Sequence, residues 1–425
     1  MTVAAKKVFL SAGEASGEHY GAQIIRGLRS GLPGASFSGL GGLEMERAGL
    51  RQIVRAEDVA VMGITEILRH VPKIYGSYRK LVRAIRDERP DIAVLIDFPD
   101  VNFRLAKHLR RAGVPVVWFV SPQLWAWKRS RLRWVQERVD RMLVLFPFEE
   151  LFYRARGVKA EFVGHPLAEP MASIGSRMAY ANVNELDPSK RWIALLPGSR
   201  TKEVKANLYT MLQAAILLSA ENEFEFLLPV ASTIDAAWLE SQIETWVARR
   251  KHFGGKPLPP IRLVPDARAA LSHARASVVA SGTATVLAGV VGNPFVVVYR
   301  VSEMTFSLAK RLIRYPAEVP AVVDSDGNLP VAMVNLVAGR WLVPELLNDR
   351  FTPDGVVKAL RPLLQEGKER EEQMLGLAEV RRKLLPPGGE GGIDRVVGVV
   401  LELLAQPSIV TGAAGAEVRN GARRV

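Results

Sequence analysis

Twice, about 185 residues apart, an apolar run ends in a loop of small residues that opens a helical pattern. The segments are Lys7-Val8-Phe9-Leu10-Ser11-Ala12-Gly13-Glu14-Ala15-Ser16-Gly17 and Trp192-Ile193-Ala194-Leu195-Leu196-Pro197-Gly198-Ser199-Arg200. A buried strand feeding a helix through a tight turn is the first unit of a doubly wound α/β sheet. Small residues such as Gly13, Ser16 and Gly17 let a ligand approach the backbone, and the free N–H groups and partial positive charge at the helix start favour phosphate. Two such openings predict two Rossmann-like doubly wound domains facing one cleft.

At 425 residues the chain exceeds what a single core usually supports. The expected division is a first domain over 1–168, a linker over 169–189, a second domain over 190–365, helices over 366–406 and a disordered tail over 407–425. Gly164, Pro166 and Pro170 near the first boundary suit a hinge. Strands are expected near 7–11, 92–97, 115–120 and 142–145, then near 192–196, 224–229, 261–264, 277–280 and 295–298, with helical patterns between them. Ile74, Tyr75, Tyr78, Leu81, Val82 and Ile85 recur at helical spacing before Pro90. No apolar run approaches the ~20 residues of a bilayer-spanning helix, and the first residues lead straight into a strand, so the cytoplasm is the simplest compartment. The chain has no cysteine, which removes disulfides, thiolate catalysis and thiolate-bound zinc.

The formal charge of +13 asks for an explanation. Basic residues gather at Lys73, Arg79, Lys80, Arg83 and Arg86, and again at Lys128, Arg129, Arg131, Arg133, Arg138 and Arg141, where Trp125, Trp127 and Trp134 are interleaved. Solvated helix faces and an anionic membrane or phosphorylated substrate are the competing readings, and no nucleic-acid motif accompanies the charge.

Asp97 closes the apolar run Ile92-Ala93-Val94-Leu95-Ile96, at the strand edge where α/β sheets bind ligands. Desolvation there would raise its pKa and suit it to general-base work. The alternative is a helix cap, a task that fits Asp100 better. Arg200 can clamp phosphate in two-pronged fashion. Ser281-Gly282-Thr283 opens a further helix in the same domain, so Ser199, Arg200 and that turn together suggest a diphosphate cradle, against the alternative of well-packed turns. No phosphate-binding GxxxxGK[ST] loop is present. His165 reads as a hinge-orienting residue, and His19 as either a substrate contact or a surface residue. Trp125 and Trp127 read either as packing between domains or as lining an acyl-chain groove. No histidine shows metal spacing.

These segments, with Val61-Met62-Gly63, Asp97-Phe98-Pro99-Asp100-Val101-Asn102, Ser121-Pro122-Gln123-Leu124-Trp125-Ala126-Trp127, Phe146-Pro147-Phe148-Glu149, Gly164-His165-Pro166 and Asn335-Leu336-Val337-Ala338-Gly339-Arg340, resemble the ordered motif series of the lipid-A-disaccharide synthases. The likeness runs from about residue 7 to 365. It implies a GT-B type inverting hexosyltransferase that joins UDP-2,3-diacylglucosamine to 2,3-diacylglucosamine 1-phosphate through a β-1,6 bond and releases UDP. The resemblance implies no cofactor and no metal, and a peripheral place on the cytoplasmic, anionic face of the inner membrane. Asp97 would take the proton of the acceptor hydroxyl, while Arg200 and the helix starts at Ser199 and Thr283 steady the departing diphosphate; Asn335 joins the nucleotide site by resemblance alone.

Two positions depart from the family pattern. Leu287 stands where the family usually places an acidic residue, the type that holds ribose hydroxyls in GT-B enzymes. Val322–Pro330 looks like an insertion, before an altered Met333-Val334-Asn335. Asp324, Asp326 and Glu345 are the candidate carboxylates to take over from Leu287. A sugar-nucleotide epimerase of the same fold and a lipid-binding relative without turnover are the rival readings, separable by product analysis; the oligomeric state, a homodimer included, stays open.

Overall fold

The computed structural model describes residues 5–59, 64–169, 174–220, 223–252, 255–301 and 313–406, without the side chains of 59 and 64–74. Val61-Met62-Gly63, Pro170 and the tail from Pro407 therefore lie outside the described residues, as do the side chains of His70, Lys73 and Ile74.

The first sheet has seven parallel strands: β1 (Lys7–Ala12), β2 (Ser36–Gly41), β3 (Leu50–Arg55), β4 (Ile92–Ile96), β5 (Val116–Phe119), β6 (Arg141–Val144) and β7 (Ala160–Phe162). Their order is β3-β2-β1-β4-β5-β6-β7. The second has six: β8 (Arg191–Leu196), β9 (Phe224–Pro229), β10 (Ile261–Val264), β11 (Ala276–Ala280), β12 (Phe295–Tyr299) and β13 (Glu345–Leu347). Their order, β10-β9-β8-β11-β12-β13, repeats the first winding. In both sheets the order reverses beside the opening strand, between β1 and β4 and between β8 and β11. Such a switch point leaves a crevice at the carboxyl ends of the strands.

Helices cover both faces of each sheet, so every residue of the central strands β4, β5 and β11 is buried, and all but Ser277 are apolar. All nine expected strands are present, and four more were not expected. Three of these, β3, β7 and β13, lie at sheet edges, where fewer apolar residues are required. The fourth, β2, reads Ser36-Phe37-Ser38-Gly39-Leu40-Gly41, and its glycines hide it. Gly39 pairs with Leu10 at φ +150°, and a Cβ there would fall on the Leu10 carbonyl oxygen.

The last helix, Gly392–Ala405, does not stay with the second sheet but packs on the first helix, Ala15–Gly31, where Val397 meets Gly27 and Leu401 meets Gly31. The chain thus crosses between the sheets twice. The crossings are tied by His165 N–H to the Leu384 carbonyl (2.8 Å) and by Gly392 N–H to Glu169 Oε1 (2.6 Å). No helix among the described residues is long and apolar enough to cross a membrane.

Because alanine at position 39 must push β2 away from β1, Gly39→Ala is expected to destabilise the first domain by more than about 3 kcal/mol. Urea unfolding of the purified variant checks this; a midpoint equal to wild type would show that the strand pair tolerates the methyl group.

Candidate active site

The two switch points face each other. On one wall β4 ends at Asp97, and residues 97 and 98 both take left-handed backbone angles, φ 45° and 49°. Non-glycine residues in that region each carry roughly 1–3 kcal/mol of strain, so the surroundings must hold them. Asp97 N–H donates to the Phe119 carbonyl (2.9 Å), and the Asn102 side chain donates to the Asp97 carbonyl (2.7 Å). The Phe98 ring lies flat against the Gly13 backbone, where a Cβ would sit 2.6 Å from its Cγ. Gly13 is therefore small because of its neighbour, and Gly17 is likewise buried, against Ile96. Ser16 is exposed on the first turn of the helix that follows.

The Asp97 carboxyl is half-buried, and its pKa is pushed up to about 6. Loss of water is the main cause and the Glu14 carboxylate the second, opposed by the Phe98 backbone and by Arg200. Asp97 does not cap the helix Pro99–Arg111, whose N-cap is Phe98; Asp100 sits in its first turn and pairs with Arg131 at 2.8 Å.

On the opposite wall β8 runs into Gly198-Ser199-Arg200 and the helix Thr201–Ser219. Arg200 reaches across the cleft to Glu14, Nη2 to Oε2, at 3.1 Å, and its Nη1 lies 3.7 Å from Glu203 Oε1. Glu203 Oε2 accepts the Ser199 N–H at 3.1 Å. Two carboxylates thus sit where the sequence places an anion. Beside them β11 ends at Ser281, followed by an exposed Gly282 and Thr283 that open the helix Thr283–Val291; the space a Gly282 Cβ would enter is empty. The turns at 13–17, 97–98, 198–200 and 281–283 thus all stand at the carboxyl ends of their strands, and the Glu14–Arg200 contact joins the two walls. Glu14 and Glu203 were not singled out from the sequence, although Glu14 lies inside the first quoted segment.

The Asn335 amide is engaged within the second domain. It is fully buried; its Nδ2 donates to the Val343 carbonyl (2.9 Å) and Glu345 Oε1 (2.8 Å), and its Oδ1 accepts Leu342 and Val343 N–H. No polar atom of the amide is left for a ligand. Glu345 is buried too and accepts the Val331 and Ala332 N–H groups, so this pair closes the turn at the start of Met333–Ala338. Asp324 and Asp326 are held by Arg350. All three candidate replacements for an acid at position 287 are thus engaged, and Leu287 itself packs half-buried against the core.

Trp125 packs between the domains. Its ring meets Tyr315 of the second domain at 5.5 Å, and its Nε1 donates to the fully buried Glu149, which also accepts the Ser121 hydroxyl. Burial pushes Glu149 up to about 7 against those bonds. Trp127 is exposed, with Lys128 Nζ 4.2 Å above its ring. His165 is buried, accepts Leu167 N–H and is held neutral, its pKa lowered by burial to about 3. His19 pairs with Glu44 on the surface at 3.1 Å.

One winding used twice around a shared cleft defines the GT-B class of glycosyltransferases. The glycotransferase of kitacinnamycin superimposes with a TM-score of 0.59 at 16% identity, over 95% of this chain and 100% of that one. A UDP-GlcNAc 2-epimerase from Neisseria meningitidis does so with 0.53 at 11%, over 94% and 99%, so the fold alone does not separate transfer from epimerisation. Sequence does: the profile of the lipid-A-disaccharide synthetase family matches residues 8–386. The lipid-A-disaccharide synthase of Acidobacterium capsulatum is 52% identical over 404 residues, 94% of this chain and 97% of the relative. The chain belongs to the lipid-A-disaccharide synthase family, and it is a hexosyltransferase of lipid A synthesis.

Proposed function

We propose that the chain moves the 2,3-diacylglucosaminyl group of its UDP donor to the 6-hydroxyl of 2,3-diacylglucosamine 1-phosphate by direct displacement. The observation that carries this is the meeting of Asp97 and Arg200 across the cleft: the guanidinium is close enough to act on the Asp97 charge and is already bonded to a carboxylate beside it. Asp97 takes the hydroxyl proton as the oxygen attacks the anomeric carbon from the face opposite UDP. The C–O bond to the β-phosphate breaks with inversion, and the negative charge left on UDP falls to Arg200 and the N–H groups at Ser199 and Thr283. The diphosphate replaces Glu203 and Glu14 on those donors. The carboxylate is the competent form of Asp97, so activity falls as pH drops through about 6.

The substrates are lipids, and the helix Ile64–Glu88 offers a surface to meet them. Leu81 and Ile85 face the core, while Arg79, Lys80, Arg83 and Arg86 are exposed on the other side with Tyr75. This face rests on an anionic cytoplasmic leaflet and leaves the protein peripheral.

Three measurements test the reading. Asp97→Asn is expected to lower kcat by ~10²–10⁴-fold, remove the acid limb near pH 6 and leave UDP affinity nearly unchanged, whereas Arg200→Ala weakens UDP as well. Wild-type turnover of Asp97→Asn with both acylated substrates would end the assignment. Leu287→Glu gives the ribose the acceptor it lacks, and UDP is expected to bind tighter by roughly 1.5–3 kcal/mol in calorimetry; equal or weaker binding would place the ribose elsewhere. Vesicle sedimentation is expected to depend on anionic lipid, to weaken with salt, and to drop when Lys80 and Arg83 are changed to Glu, each basic residue contributing ~1 kcal/mol. Binding indifferent to lipid charge would contradict the surface assignment.

A further inference from the structure

We infer that Asn102 is a positioning residue for the transfer: its side-chain amide fixes the two-residue left-handed turn that aims the Asp97 carboxylate into the cleft. This rests on the reading of Asp97 as the base.

Asn102 has no exposed surface. Its Nδ2 lies 2.7 Å from the Asp97 carbonyl and 3.3 Å from that of Ile96, and its Oδ1 accepts the Ser11 hydroxyl at 2.6 Å. The Asp97 peptide is therefore held from both ends, by β5 at its N–H and by Asn102 at its carbonyl. That clamp falls where two successive non-glycine residues hold positive φ, a conformation that would otherwise relax toward the extended or helical regions. Ser11 is the last but one residue of β1, so the same amide also joins the two strands that flank the switch point.

The chemistry of the position narrows the residue type. A donor must face two carbonyls while an acceptor faces a hydroxyl, on a side chain short enough to stay within the first turn of Pro99–Arg111. Asparagine meets this. Aspartate would keep the bond from Ser11 and turn an oxygen toward the Asp97 carbonyl; leucine would fill the space and bond to neither. A buried asparagine that merely satisfied the core would make the same contacts, so the test must read the carboxylate and not only stability.

The set is Asn102→Leu, Asn102→Asp, Ser11→Ala, Asp97→Asn and the double variant Asp97→Asn with Asn102→Leu, each assayed with the UDP-diacylglucosamine donor and the acceptor monophosphate. Folding is monitored by thermal melting and UDP affinity by calorimetry. Both Asn102 variants are expected to lose at least ~30-fold in kcat with KM for the donor and UDP affinity within about twofold. In Asn102→Leu the acid limb should move below pH 6 as the loosened carboxylate meets more water, whereas in Asn102→Asp the added carboxylate opposes that shift, so there the fall in kcat at unchanged KM is the readout. Ser11→Ala, which keeps both donors, should lose less than tenfold, and the double variant should be no slower than Asp97→Asn alone. A folded Asn102→Leu with wild-type kcat and acid limb, a folded Asn102→Asp with wild-type kcat, or a double variant whose losses multiply, overturns the inference while an inactive Asp97→Asn leaves the reading of the base standing. If Asn102→Leu does not fold, Asn102→Asp and Ser11→Ala decide by the split of kcat against KM and UDP affinity. An active Asp97→Asn overturns the reading and this inference together.

Discussion

Two sheets can share a cleft only if the chain leaves the first, builds the second and is then held so that the switch points stay opposed. The two crossings supply this constraint. A single tether at residues 163–169 would leave relative rotation free. The return of Gly392–Ala405 to the first helix adds a second tether at a different point, with its own apolar contact and the Arg395–Glu161 ion pair. The hydrogen bonds between the crossings use backbone groups of His165 and Gly392, which would otherwise be buried donors without partners. Neutral His165 fits the same requirement, since a charged imidazole there would be desolvated without a counter-charge. Two tethers at different points oppose relative rotation of the sheets, which holds the Asp97 and Arg200 turns opposite each other.

Across the cleft Arg200 is met by Glu14, and the Ser199 N–H by Glu203, so both donors are held by carboxylates of the chain itself. Under the proposed reading the diphosphate takes the place of those carboxylates on the same donors.

The parts of the fold legible in the sequence were those whose apolar runs must be buried on both faces, such as Ile92–Ile96 and Phe295–Tyr299. β2 was not, because its Gly39 is chosen for closeness to Leu10 rather than for strand propensity. The placement of Asp97, Ser199, Arg200 and Thr283 at the carboxyl ends of strands was legible, because residue type and place in the winding coincide there. It was not legible where a residue acts through a partner distant in sequence. Glu14 meets Arg200 over 186 positions, Ser11 meets Asn102 over 91, and no local pattern announces either pairing. The quoted motifs also mix residues that line the cleft with residues that hold it. Trp125 and Glu149 belong to one buried network between domains, and Asn335 to another.

Asn102 and Asn335 show the same device in the two domains. Each is a fully buried amide whose polar atoms are spent on backbone and on one side chain from another element, Ser11 in one case and Glu345 in the other. A backbone carbonyl or N–H in a turn has no ladder partner, and a buried turn cannot borrow water. An amide satisfies both kinds of group at once without bringing a charge, so it fixes a turn without perturbing the electrostatics of the cleft. At position 102 a carboxylate would set a second negative charge beside Asp97, and the neutral amide fixes that turn without adding one. At Asn335 the partner Glu345 does bring a carboxyl group, and there the amide joins the Val331 and Ala332 N–H groups in bonding to it.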